Sequence, residues 1–361
     1  MFSSPLLRPP RTRLPAPLRE RIGQLLGGPP RGGPTRPFRA AIFQLDRLGD
    51  FVLTLSAVRT MLATWGADSC LLVVSRSAAP LAALEFPHTP RLVLTDSAPG
   101  VLHDLLPLWR RERPLFRGLA CERVVCLSHH RDLYKQVALS WLRTPQIHQL
   151  DRSTYPTAHA ADSCLELTAH HQLTQAALGR PVSADEITPH FTQLSSHDGP
   201  ELVVCPVSTD ALRRLPDSVL LPALIRWRTR SIAPITFSGP PSAEAELNAL
   251  AARLRAAVSG LVNIAVHDSF PAFAARLAAA GAVLATESAP GHFATALDKR
   301  AVVAVGGGLF GLCSPWRRST RQVIAQHRTA CYSCGWHCTQ PTVACLTGLD
   351  PLALAAALPP L

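Results

Sequence analysis

Ala41-Ile-Phe-Gln-Leu-Asp-Arg-Leu-Gly-Asp50, followed by Phe51 and a helical pattern that runs to Trp65, is the stretch on which the fold turns. Its first five residues read as a short buried strand. Residues 46–50 form a polar turn, in which Gly49 lets another molecule come close to the backbone. Val52, Leu53, Leu55, Val58, Met61 and Leu62 then recur at helical spacing. Strand, tight turn and helix in that order open a doubly wound α/β domain. Asp50 stands at the mouth of the helix and at the carboxyl end of the strand, where open α/β sheets bind ligands. A carboxylate beside a helix N-terminus is favoured in its ionised form and can accept a proton. The bland reading of Asp50 is a helix cap.

Outward from this unit, strands are predicted at 69–74, 91–94 and 123–127, and a helix at 158–178 that stops at Gly179 with Pro181 beyond it. His129, His130 and Arg131 follow the strand at 123–127, either meeting a sugar or phosphate at the sheet edge or forming a solvated loop. A cluster of turn residues at 195–200 marks a linker. The alternation then restarts, with strands at 202–207, 234–237, 262–266, 283–286 and 302–305 and helices at 217–229, 242–258, 269–280 and 290–298. Strands alternating with helices of this length imply parallel sheets covered by helices on both faces. The expected organisation is a Pro/Arg-rich extension at 1–37, a Rossmann-like domain at 38–196, and a second at 197–361 that carries a Cys-rich tail at 331–345. Two such domains predict a ligand cleft between them.

The second informative stretch is Val283-Leu-Ala-Thr-Glu-Ser-Ala-Pro-Gly-His292 and the helix after it. A strand ends at Thr286, Ser288 is a good N-cap, and Pro290 suits a first helical turn. A helix N-terminus at the carboxyl end of a strand offers free N–H groups and a positive dipole end, which suits a diphosphate. His292 adds a donor on the first turn. Ordinary helix capping is the alternative.

Asp46-Arg47-Leu48-Gly49-Asp50 and Val52-Leu53-Thr54 resemble the opening of the family 9 glycosyltransferases, the ADP-heptose:lipopolysaccharide heptosyltransferases. Residues 287–297 are similar to the family's D-[TS]-G-[PL]-x-H signature, with Glu287 in place of Asp and Ala289 in place of Gly. Cys205-Pro206-Val207-Ser208 and Arg213-Arg214-Leu215-Pro216 resemble its K-R-W-P segment, with Arg213 in place of the lysine. The resemblance covers about residues 40–358. It implies the GT-B architecture and an inverting transfer of a heptose or related sugar from an ADP-sugar to a lipopolysaccharide core acceptor. Asp50 would be the general base. Arg213, Arg214, Gly239, Glu287, Ser288, Ala289, Pro290, Gly291 and His292 would bind the donor, and Arg47, Gly49, His129, His130 and Arg131 the acceptor. No cofactor is then required beyond the ADP-sugar itself. The alternatives are heptosyl transfer onto a protein and a non-catalytic nucleotide-binding module.

The chain has 361 residues and a formal charge of +11, and all but two of its 36 basic residues are arginine, the exceptions being Lys135 and Lys299. Such a balance suits anionic partners: nucleotide phosphates, an anionic glycolipid, or the inner leaflet of a membrane. Nucleic acid is not expected, since stacked-aromatic and helix-turn-helix signals are missing. No apolar run reaches the ~18 residues of a membrane span, and no secretory signal is visible, so a cytoplasmic protein is expected. Residues 1–37 hold nine prolines and seven arginines, a composition for a poorly ordered basic tail or a peripheral contact with the inner membrane. Cys331, Cys334, Cys338 and Cys345 are close enough in sequence to suggest zinc or iron. Their spacing is not that of a two-knuckle zinc ribbon, and free thiols are favoured over a structural metal.

Overall fold

The computed structural model describes residues 21–23, 25–30, 36–96, 102–128, 133–150 and 164–361. The chain divides into two compact units. One takes in the described residues of Pro10–Pro156 together with Glu166–Pro189. The other takes in those of Thr157–Leu165 and His190–Leu361.

The strands of the first unit are β1 (Arg36–Phe38), β2 (Ala40–Gln44), β3 (Cys70–Ser75), β4 (Arg91–Leu94), β5 (Leu119–Cys121), β6 (Val124–Cys126) and β7 (Ile147–Gln149). Five of them form a sheet in the order β4-β3-β2-β6-β7, all parallel, with Ala40 opposite Cys70 and Phe43 opposite Cys126. β1 and β5 make a separate parallel pair. Every residue of β2 and β3 is buried, as expected for parallel strands covered on both faces. Beneath the sheet, Phe43 stacks on Phe116 at 6.3 Å and Phe116 meets Trp141 edge-on at 5.4 Å.

The first long helix, Leu48–Trp65, is buried on nearly every side: Phe51, Val52, Leu53, Leu55, Val58, Met61, Leu62 and Trp65 are all covered. It starts earlier than the polar turn suggested. Asp50 therefore lies inside the first turn rather than ahead of it, and its carboxylate accepts the Arg47 backbone N–H at 3.2 Å. A carboxylate in this position satisfies an orphan donor, which lets the helix begin within the polar segment. The helix expected at 158–178 is Leu165–Leu178, ending at Gly179 with φ +66°; residues 158–163 lie outside those described.

The second unit contains β8 (Leu202–Cys205), β9 (Ile235–Gly239), β10 (Val262–Val266), β11 (Ala282–Thr286), β12 (Ala301–Val305) and β13 (Gln322–Gln326). They form one parallel sheet in the order β10-β9-β8-β11-β12-β13. Counted from its first strand, this is the 3-2-1-4-5-6 order of dinucleotide-binding domains. The helices Asp217–Arg228, Glu244–Ala257, Phe270–Ala279 and Ala289–Ala296 connect the strands. The core gathers Trp227, Phe237, Leu247 and Leu284 with Leu354 and Leu358 of the chain's last segment. The Trp227 indole N–H donates to the Pro359 carbonyl at 2.8 Å and fastens that segment down. β13 was not foreseen: it is an edge strand whose residues beyond Gln322 are half-buried or exposed, and its apolar part is only Val323, Ile324 and Ala325 between two glutamines. Among the described residues, no helix is long and apolar enough to cross a membrane.

Candidate active site

In each sheet the strand order reverses beside its first strand, and the crevice at that reversal is where such sheets bind ligands. In the first unit the reversal lies between β2 and β6. Here β2 runs out through Leu45 into the turn carrying Asp46, Arg47, Gly49 and Asp50. Arg47 is exposed, while Gly49 and Asp50 are half-buried. The turn is braced from below. The Leu45 N–H donates to Ser128 Oγ at 2.8 Å, the Ser75 hydroxyl donates to the Asp46 carbonyl at 2.7 Å, and the Asp46 carboxylate pairs with the Lys135 ammonium. Asp46 and Lys135 are both buried. His129, His130 and Arg131 lie outside the described residues.

In the second unit the reversal lies between β8 and β11. The loop after β8 carries Arg213 and Arg214, which face different ways. Arg214 is exposed and pairs with Glu246 at 2.7 Å. Arg213 is half-buried with its guanidinium 5.6 Å from the centre of the Trp336 ring, and its side chain makes no ion pair or hydrogen bond among the described residues. An arginine held on an aromatic face with its fork unused is a natural anion ligand.

After β11 comes the helix Ala289–Ala296. Ser288 occupies its N-cap, but the hydroxyl makes no cap bond and turns back to Thr286, with the two hydroxyl oxygens 3.1 Å apart. That differs from the capping expected of it, and leaves first-turn N–H groups for another acceptor. Ala289 and Pro290 are half-buried on this turn. A Cβ on Gly291 would come within 2.8 Å of the Thr286 carbonyl oxygen, so glycine is what seats the helix against its strand. Glu287 is buried, its N–H donating to the Ala304 carbonyl at 2.9 Å. Gly239, at the end of β9, is hemmed in by Val207 and Leu247, each 3.1 Å from where a Cβ would stand.

His292 is buried on the same helix, and its Nδ1 accepts the Trp316 indole N–H at 3.0 Å. Burial, with the Arg213 charge adding to it, pushes its pKa down to about 4. The ring is therefore neutral near pH 7, whereas in the unfolded chain it titrates near 6.5. The unfolded state binds the extra proton between those values, so folding stability from this group is present above about pH 6.5 and is lost as pH falls toward 4. Urea denaturation should show the wild type losing about 2 kcal/mol more than His292→Gln between pH 7 and pH 5. Equal losses in the two proteins would mean that His292 titrates normally.

The Cys-rich tail closes the edge of this crevice. After β12 the chain runs through Gly306, Gly307 and Gly308. A Cβ at 306 or 308 would collide with the Trp336 ring (2.4 and 2.2 Å), and one at 307 with Tyr332 (2.7 Å). The loop is glycine because two aromatic rings of the tail lie on its backbone. All ten cysteines are free, and among the described residues no group of three or more His, Cys, Asp or Glu side chains is arranged to hold a metal.

Residues 141–340, more than half of the chain, match the profile of Glycosyltransferase family 9 (heptosyltransferase). The chain belongs to glycosyltransferase family 9. It is a glycosyltransferase, and its parallel α/β fold matches GT-B heptosyltransferase structures. One is E. coli heptosyltransferase WaaC with ADP-2-deoxy-2-fluoro heptose, at 17% identity and TM-score 0.60, covering 85% of this chain and 96% of that one. A glycosyl transferase family 9 protein from Veillonella parvula aligns at 12% identity and TM-score 0.63, over 91% and 97%. E. coli ADP-heptose lps heptosyltransferase II aligns at 15% identity and TM-score 0.56, over 89% and 97%. A search of curated proteins by sequence found no match.

For a glycosyltransferase of this family, the second unit thus brings Arg213, His292, Gly291 and Ser288 to one sheet edge, with Glu287 buried beside them, and it turns Arg214 aside. Sequence reasoning missed four residues. Trp316 and Trp336 hold His292 and Arg213, and Lys135 and Asp46 brace the turn of Asp50. Lys135 carried one signal: it is one of only two lysines in an arginine-rich chain, and it stands in the mostly apolar stretch Leu133–Ser140.

Proposed function

We propose that the protein is an inverting transferase that moves a heptose, or a related sugar, from an ADP-sugar to a lipopolysaccharide core acceptor, an anionic glycolipid. The observation that carries this reading is Arg213, a half-buried cation whose fork is unused, close enough to His292 for its charge to act on it, beside a helix N-terminus at the strand-order reversal. In the proposed reaction Asp50 accepts the proton of the acceptor hydroxyl. The oxygen attacks the anomeric carbon, and the bond to the diphosphate breaks with inversion. ADP leaves with its charge offset by Arg213, the His292 N–H and the first-turn amides, and Asp50 then passes its proton to water. Offset in this way, the leaving group needs no metal. Glu287 and Gly239 complete the donor side, and Arg47, Gly49, His129, His130 and Arg131 the acceptor side. The excess of arginine suits both anionic substrates and a peripheral contact with the cytoplasmic face of the membrane.

The test is a transfer assay with ADP-, GDP- and UDP-linked sugars, with and without a lipopolysaccharide core acceptor. ADP-heptose should be consumed fastest, and ADP release should rise at least about ten-fold on adding acceptor. Transfer to a protein with the glycolipid ignored would sink the acceptor assignment. Turnover of UDP- or GDP-sugars alone would sink the donor.

A further inference from the structure

We propose that Trp316 is a positioning residue: its indole N–H fixes the tautomer of His292, so that the imidazole presents Nε2–H to the donor diphosphate. The proposal rests on the donor-site reading given above. An indole N–H can only donate. Because Trp316 Nε1 lies 3.0 Å from His292 Nδ1, Nδ1 is the acceptor, and the proton of the neutral ring sits on Nε2. The two rings are also nearly parallel, with centroids 6.2 Å apart and an interplanar angle of 19°, so the imidazole plane is held in line with the indole. Both residues are more than nine-tenths buried. Nε2 makes no hydrogen bond among the described residues, yet it is not sealed from solvent as the buried polar atoms are.

The neighbouring charge is Arg213, and a second positive charge on His292 would be repelled by it. His292 is thereby a fixed, uncharged hydrogen-bond donor. It does not act as an acid, and ADP departs without taking a proton from it. Trp316 stands in the Ser314-Pro315-Trp316-Arg317 segment after β12, 24 residues from the histidine it orients.

The experiment begins with the wild-type full chain. With histidine-labelled protein, long-range proton–nitrogen correlation spectra near pH 7 should show His292 as the Nε2–H tautomer, assigned by its disappearance in His292→Gln. A charged ring or an Nδ1–H ring would overturn the proposal. Trp316→Phe keeps an aromatic ring but removes the donor. It should bring in the Nδ1–H tautomer and weaken calorimetric ADP binding about three- to ten-fold. In a His292→Gln background the same substitution should leave ADP affinity unchanged. If it weakens ADP equally in both backgrounds, while His292→Gln itself weakens binding, Trp316 does not act through His292 and this inference alone fails. If His292→Gln leaves ADP affinity intact, the donor-site reading falls first and takes the inference with it.

Discussion

Asp50→Asn should lower kcat by about two to four orders of magnitude, the usual contribution of a general base, while folding and ADP affinity stay close to wild type. The substitution separates the helix-end role that the structure shows for this carboxylate from the proposed role of general base. Asp50 lies in the first turn of Leu48–Trp65 and accepts the Arg47 N–H at 3.2 Å. An asparagine carbonyl can accept the same hydrogen bond, so the turn keeps its geometry. What disappears is the negative charge at the helix N-terminus, worth about 0.3–1 kcal/mol of stability, and the ability to take a proton. Asp50→Ala would lose the hydrogen bond as well and confuse the two effects. The measurements are kcat for ADP-heptose with a glycolipid acceptor and the thermal midpoint. An Asp50→Asn enzyme with near wild-type kcat would leave Asp50 as a helix-end residue only, and the base would have to be sought elsewhere.

Arg213→Ala should weaken ADP binding by one to two decades, since a hydrogen bond to a charged group is worth about 1.5–3 kcal/mol. The fold should be little affected. The Arg213 side chain makes no ion pair or hydrogen bond among the described residues, and its packing partner is the Trp336 ring at 5.6 Å. Arg213→Lys should recover part of the loss: the ammonium still meets a phosphate as a point charge, but it cannot present two parallel donors. Arg214→Ala serves as the comparison. Its charge is already paired with Glu246 at 2.7 Å on the surface, so its loss should change ADP affinity several-fold less. Isothermal titration with ADP decides the matter. If Arg213→Ala binds ADP as tightly as wild type, the nucleotide does not sit at the β8–β11 reversal, and the proposal that the second unit binds the donor fails.

The sequence by itself determined the two parallel α/β units, because what specifies them is local. Continuous apolar runs such as residues 40–43 and 302–305 are buried on both faces, and helical periodicity between them requires right-handed crossovers. β10 was foreseen at its observed bounds, and several other strands within one or two residues. The turn at 46–50 and the motif at 287–292 were legible for the same reason: each joins one strand to one helix in consecutive residues. Where those readings slipped, a single side chain was responsible. Asp50 turned back to Arg47 and admitted three more residues to the helix, and Ser288 bonded toward Thr286 instead of capping.

Only the tertiary structure decided how the site residues are held. Lys135 reaches Asp46 across 89 residues of chain, and Trp316 reaches His292 across 24. Trp336 comes from the tail to lie between Arg213 and the glycine loop, where Gly306 and Gly308 lack a side chain to obstruct it. No periodicity encodes such pairs, since each exists only once the sheet order has brought distant loops to one edge. The direction of Arg213 toward Trp336 and of Arg214 toward Glu246 is of the same kind. Adjacent residues of one type look alike in a sequence, and packing against two different neighbours separates a half-buried arginine on an aromatic ring from a surface ion pair.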